Sequence, residues 1–376
     1  VFEQSGQNAL HTYQSSGSFP VLLAVQDATG CSDTVSHNVL SYALPQASFA
    51  HVNACVLEDV TFTDQSAAIN VPGDVSTITN WLWNFGDGSS SSIQNPIHSF
   101  DTAGAQQVAL IVTTDKGCVD TGFNATPIIS FPLPNVSFSH VNACHLEAVL
   151  FTDQTSTPTV AGASSSSSSW VWEFGNGDSA FVNNPQHIFP SPGNHSATLT
   201  VTTNRGCTSS ASNSQQIRSY FLPNPDFSAI KLCEGVPTEF TDLSTSADGI
   251  INQWNWKFIG NNGSQLQHPE YTFSTNDTFS VELKTTTDLG CETTILKDVK
   301  IYGLPEPYFS YNRICQNETV FINEEANSAV TGQPIVNYYW DLDFDGVTDA
   351  TGTNASYNFG NAITSHTIEL RVEDSF

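Results

Sequence analysis

One phrase in this chain is written more than once. Trp81-Leu82-Trp83-Asn84-Phe85-Gly86-Asp87-Gly88 returns 89 residues on as Trp170-Val171-Trp172-Glu173-Phe174-Gly175-Asn176-Gly177. It comes back more loosely as Trp254-Asn255-Trp256-Lys257-Phe258, and again around Tyr338 and Trp340. Solenoids and propeller blades repeat every ~20–50 residues, one supersecondary unit at a time. A longer period matches a self-contained sandwich of roughly 100 residues. The chain must therefore fold as a string of similar small domains, and its function has to be one that a string performs.

Charge narrows the partners. Among 376 residues, 37 are acidic and 10 are Lys or Arg, a formal net charge of −27. Nucleic acid and anionic lipid are bound by cations that neutralise phosphate, so this surface repels both. No stretch approaches the ~20 apolar residues of a membrane span, which argues against direct membrane insertion. Ser, Thr and Asn carry most of the polarity, and they compete for the backbone bonds a helix needs. Methionine is absent. That fits selection against oxidation outside the cell as well as it fits composition drift.

Each unit opens after Leu-Pro (Leu44-Pro45, Leu133-Pro134, Leu222-Pro223, Leu304-Pro305). A short extended run, a Cys and a strand such as Val60-Thr61-Phe62-Thr63-Asp64 follow. In the next strand Trp81, Trp83 and Phe85 lie two apart and share one face. Gly86-Asp87-Gly88 then supplies positive-φ turn positions. Asn95-Pro96-Ile97-His98-Ser99-Phe100 leads to an alternating strand (Val108, Leu110, Val112), a hairpin ending in Gly117-Cys118, and a last strand. About seven alternating strands separated by turn signals predict an all-β antiparallel sandwich.

These spaced motifs (Trp-x-Phe-Gly-Asp-Gly, Asn-Pro-x-His-x-Phe, Val-x-Leu-x-Val and Asp-x-Gly-Cys) resemble the PKD (polycystic kidney disease) domain. The placement of one Cys before the second strand and one after the last hairpin looks like arrays in large surface adhesins of Bacteroidota. The resemblance implies tandem immunoglobulin-like β-sandwiches joined head to tail: the C-terminal part of a repeat over 1–44, repeats over 45–133, 134–222 and 223–304, and a repeat lacking its last strand over 305–376. The chain thus reads as a fragment of a longer array. PKD domains serve as spacers and adhesion modules and as accessories to secreted hydrolases. The reading is a non-enzymatic, secreted stalk or filament at the cell surface, exported by type IX secretion, whose partners are its own neighbouring repeats and surface glycans or proteins. The alternative is a spacer or glycan-binding module of a hydrolase whose catalytic domain lies elsewhere.

No catalytic constellation stands out. His98, His187 and His268 recur with the repeat at the Pro corner, with His11 in the partial copy and His51 and His140 near the start of the unit. A group present once per module reads as structural rather than catalytic. The tryptophans Trp83, Trp172, Trp256 and Trp340 read as core residues packed on Phe62, Phe151, Phe240 and Phe321; indoles lined up on one surface would indicate sugar binding instead. Asp341, Asp343 and Asp345, followed by Gly346 and Asp349, have the alternating spacing of a calcium loop, although Gly352 stands where a bidentate acid is expected. An acidic turn without an ion is the plain alternative. The Ser164–Ser169 run reads as a lengthened loop. If the Bacteroidota likeness holds, Thr34, Thr102 and Ser179 fit that phylum's O-glycosylation pattern.

The cysteines form a periodic even set, which argues for disulfides. Spacing suggests pairing within a repeat, as Cys55 with Cys118. In an immunoglobulin-like strand order, however, the first and last hairpins lie at opposite ends, tens of Å apart at ~3.3 Å per residue, and a disulfide needs Cα atoms within ~7 Å. The expected bridges are therefore Cys55–Cys207 and Cys144–Cys291, from the first hairpin of one repeat to the last hairpin of the next. Cys31, Cys118, Cys233 and Cys315 are expected to take partners beyond this chain.

Overall fold

The computed structural model describes residues 6–73, 75–328, 334–361 and 365–375. They gather into two compact units. One comprises Val1–Val141, Val149–His187 and His195–Ile217; the other comprises Asn142–Ala148, Ile188–Asn194 and Arg218–Phe376. Among the described residues there are strands, turns and bends but no helix. The fold is all-β.

The first unit begins with a hairpin, Gly17–Gln26 paired antiparallel with Ser32–Ser41. A sandwich follows. One sheet joins Phe49–His51, Asp59–Asp64 and Ile97–Ser99; the facing sheet runs Val119–Phe123, Ala109–Thr114, Ile78–Asn84, Ser90–Ser91. Side chains alternate across each strand. Val60 and Phe62 therefore meet Trp83, Phe85, Leu110 and Val112 in one buried cluster, closed by Phe100, Val108 and Ile128. The same unit holds a second copy of this pairing: Phe138–Val141 with Val149–Asp153, and Ser167–Glu173 with Thr198–Thr203. There Trp172 is fully buried against Phe138 and Phe151.

In the second unit the pattern recurs twice. Phe227–Ile230, Pro237–Asp242 and Glu270–Thr272 face Ile251–Lys257, Thr278–Thr287 and Glu292–Lys300 across a core centred on Trp256 and Phe240. Phe309–Tyr311, Thr319–Glu324 and Asn354–Asn358 face Ile335–Asp341, Ala350–Thr351 and Glu369–Asp374 across Trp340.

Three readings from sequence need correction here. Trp340 does not pack on Phe321, which is 59% exposed; Ile322 fills the core position. Glu324 and Asp64 both end their strands, so Ile322 aligns with Phe62, and a one-residue slip turns a side chain to the opposite face. Second, Ser167–Ser169 belong to a strand paired with Thr202 and Thr203, so the serine run is loop only at its start. Third, His268 does not occupy the place of His98. Its Nδ1 accepts the Asp242 N–H, as the side-chain oxygens of Asn95 and Asn184 accept those of Asp64 and Asp153. The residue in the place of His98 is Tyr271.

A β-bulge at the start of every tryptophan strand has no obvious sequence signal. The register shifts opposite Thr113/Thr114, between Ser167 and Ser169, between Ile251 and Gln253, and between Ile335 and Asn337. Each bulge adds an unpaired residue and extra twist before the core indole.

Candidate functional site

The repeated tryptophans build an internal frame. The deeper indole of each repeat donates to a backbone carbonyl: Trp83 to Ile93 at 2.9 Å, Trp172 to Val182 at 3.0 Å, Trp256 to Leu266 at 2.9 Å and Trp340 to Gly352 at 2.8 Å. A buried indole N–H left without an acceptor would be costly. The shallower indoles are half-buried and donate to the carboxylate that ends the preceding strand: Trp81 to Asp64 and Trp170 to Asp153, both at 2.7 Å, and Trp254 to Asp242 at 2.8 Å. Burial would raise the Asp64 carboxyl, but donors from Ser66, Gln94 and Trp81 outweigh it and hold it low. Tyr338 and Glu324 take these places in the last copy. None of the seven indoles is fully exposed.

The histidine corner is structural too. The His98 ring stacks on Phe85 at 4.1 Å, and its Nε2 lies 2.7 Å from Asp87 in the glycine turn. Burial opposes the charge on Asp87, yet the hydroxyl and N–H of Ser89, together with His98, lower its pKa to about 2. The turn needs glycine at Gly86: φ is +85°, and a Cβ would sit 2.5 Å from the Gln107 carbonyl. His187 stacks on Phe174 in the same way, and burial lowers its pKa. In the second unit Tyr271 stacks on Phe258 at 4.5 Å while Asn262 donates to its hydroxyl. The turn varies before the ring does: His187 already faces an amide, Asn176 at 3.3 Å, with Asp178 3.7 Å away, and the next copy then replaces the ring by Tyr271. Such a corner is a brace: the Ser89 hydroxyl, 3.3 Å from His98 Nε2, donates to Asp87 and ties ring and turn together.

The acidic loop brings three of its four carboxylates together. One oxygen each from Asp341, Asp343 and Asp345 lies within 4.8 Å of the others. Asp341 is buried and accepts N–H bonds from Phe344 at 2.6 Å, Asp345 at 3.2 Å and Gly346 at 2.7 Å. Asp349 accepts the Leu342 N–H at 2.7 Å. These two acids therefore hold the turn from inside. Asp343 is exposed; desolvation, and then the charges of Asp345, Asp349 and Asp341, raise its pKa. Crowded hard oxygens suit a divalent cation; Asp345 also accepts a backbone N–H, from Val347 at 2.9 Å, so Asp343 is the exposed acid best placed to lead its capture.

Cysteines mark the ends of the repeats. In the first unit Cys55 is bonded to Cys207, with Cα atoms 5.6 Å apart. Cys55 pairs in parallel beside Phe131, and the Arg205 guanidinium lies 5.0 Å over that ring. In the second unit Cys144 is bonded to Cys291 with Cα atoms 5.5 Å apart, and it pairs beside Tyr220. A half-buried ion pair stands beside Tyr220 near this second bridge: Asp248, 5% exposed, takes the guanidinium of the more exposed Arg218 and, at 2.9 Å, the Phe221 N–H. Cys233 holds the matching place beside Tyr302, and its thiol pKa is raised by burial and then by Asp374. Cys31, Cys118 and Cys315 are free thiols. Thr34, Thr102 and Ser179 are all exposed.

A run of tandem immunoglobulin-like sandwiches, braced by aromatic pairs and joined by bridges between successive repeats, defines a modular β-protein class. Within that class, residues 43–128 and 132–218 match the PKD domain family, as two tandem domains. The chain is 30% identical over 152 residues to the pre-pro-metalloprotease PrtV of Vibrio cholerae serotype O1 (strain M66-2), which covers 40% of this chain and 15% of that protein. It is 50% identical over 40 residues to collagenase ColQ1 of Bacillus cereus (strain Q1), 11% of this chain and 4% of that protein. The chain thus spans a small part of the relatives it matches. The crystal structure of the PKD1 domain of Vibrio anguillarum Epp is 27% identical, covering 24% of this chain and 99% of that one, with a TM-score of 0.21. PKD domains are non-catalytic modules. Among the described residues, no helix is long and apolar enough to cross a membrane.

Proposed function

We propose that this chain is a non-enzymatic stalk segment of a long secreted protein of the cell surface, built from PKD repeats that run over 1–44, 45–133, 134–222, 223–304 and 305–376. The observation that supports it most is covalent. Each bridge leaves the first hairpin of one repeat and ends on the last hairpin of the next. A bridge inside one module stabilises that module; a bridge between modules restricts how one turns on the other. Short Leu-Pro linkers add restraint, because proline locks φ and narrows the residue before it. The net charge of −27 keeps such a stalk soluble and self-repelling. Export by type IX secretion from a member of Bacteroidota, O-glycans on Thr34, Thr102 and Ser179, and calcium on the Asp341 loop complete the proposal.

A second reading has its own support: the relatives it matches include a metalloprotease and a collagenase. On that reading the repeats are accessory spacers of a secreted hydrolase. Its glycan-binding form loses ground, since the tryptophans are occupied with packing and internal hydrogen bonds. Small-angle scattering of the oxidised chain tests the stalk directly. A rod-like profile whose length shortens on reduction supports it; a compact, reduction-insensitive profile rejects it. A protease or glycosidase domain beside the repeats in the full reading frame would shift the choice to the spacer.

A further inference from the structure

The two bridges overlap along the chain. Cys144 lies inside the loop closed by Cys55 and Cys207, while Cys291 lies outside it. Separate loops and overlapping loops respond differently to tension. Separate loops each withhold their own length, and the lengths add. Overlapping loops offer a shorter route: across the first bridge from Cys55 to Cys207, backwards along the chain to Cys144, then across the second bridge to Cys291.

We infer that this pair of bridges is an extension limiter which reroutes load through the repeat between them. The inference rests on the stalk reading for its use, but the limit itself follows from connectivity. Without bridges, about 236 residues separate Cys55 from Cys291, and at ~3.5 Å per residue they stretch to roughly 83 nm. With both bridges, only about 63 residues lie on the taut path, roughly 22 nm at the same rise. The arcs from Cys55 to Cys144 and from Cys207 to Cys291 stay slack. Both Leu-Pro linkers, Leu133-Pro134 and Leu222-Pro223, lie in those arcs. So does the contact of Arg218 and the Phe221 N–H with Asp248. Tension that would otherwise peel these joints is carried by the segment from Cys144 to Cys207, which holds the Trp172 core.

The test is single-molecule force spectroscopy on the full chain, held by its two ends, before and after reductant. Overlap predicts that the fully stretched oxidised chain is shorter by about 173 residues, roughly 60 nm. It also predicts sub-additivity: the Cys55→Ser/Cys207→Ser variant still withholds 147 residues, so restoring the first bridge hides only roughly 26 more. Two separate loops within repeats, Cys55–Cys118 and Cys144–Cys207, would withhold about 126 residues, roughly 44 nm, and that length overturns the proposal. Equal lengths before and after reduction overturn it too. Because reductant can be added to a chain already stretched, the result does not depend on how any variant folds. Stretched length is also independent of rod shape in scattering, so the limiter and the stalk can fail separately.

Discussion

At the scale of single residues, the four deep tryptophans carry the fold. Trp83, Trp172, Trp256 and Trp340 are each fully buried, and each indole N–H has an acceptor. Replacing any one by Ala is expected to cost ~3–5 kcal/mol, read as a drop in the denaturant midpoint of its repeat. The aromatic corners add a pH dependence whose sign follows from the shifts. Asp87 has a folded pKa of about 2 against 3.8 when unperturbed. Its contribution is therefore complete above roughly pH 4 and lost as pH falls through 2. The pKa of His187 is lowered from 6.5 by burial. The unfolded chain takes up this proton first, so stability declines once pH drops below 6.5. Melting curves from pH 8 to 2 should show both losses. His187→Tyr, which copies Tyr271, should shrink the upper one and leave the part that His51, whose pKa burial also lowers, contributes; an unchanged decline below pH 6.5 would assign it to other groups.

At the scale of elements, strand alternation was legible and strand register less so. The core face of Val108, Leu110 and Val112 could be read from period two, and all three are fully buried. Phe321 attracted a core assignment because it is the larger residue, yet the strand-ending acid sets the register and turns Ile322 inward. Ile322→Ala should cost ~2–5 kcal/mol, whereas Phe321→Ser should stay within ~0.5 kcal/mol. Comparable losses from the two would contradict the register. The acidic loop yields a second expectation at this scale. Calcium should bind it weakly, because Asp341, Asp345 and Asp349 already serve backbone N–H groups. Calorimetric titration should detect binding in the chain and lose it in Asp343→Asn/Asp345→Asn; absence of heat and of any melting shift would dismiss the ion.

At the scale of the whole molecule, the bridges matter most. Closing a loop of roughly 150 residues removes about 5 kcal/mol of unfolded-chain entropy by the loop-closure estimate. Non-reducing peptide mapping should recover Cys55 linked to Cys207 and Cys144 linked to Cys291; a Cys55–Cys118 peptide would refute the strand order. The amino-acid sequence alone determined that the chain repeats, that its units are β-sandwiches, and which faces are apolar, because repeats, alternation and turn residues are local patterns. It carried the His98 corner only in part, since His268 mimics the motif while serving as an Asn substitute. The bulges and the replacement of the corner His by Tyr271 were decided by tertiary structure, while the cysteine partners Cys55–Cys207 and Cys144–Cys291 could be read from sequence only by assuming an immunoglobulin-like strand order. Spacing along the chain favours the nearer cysteine, but a disulfide forms between atoms a few Å apart, and only the folded strand order determines which ends of which repeats meet.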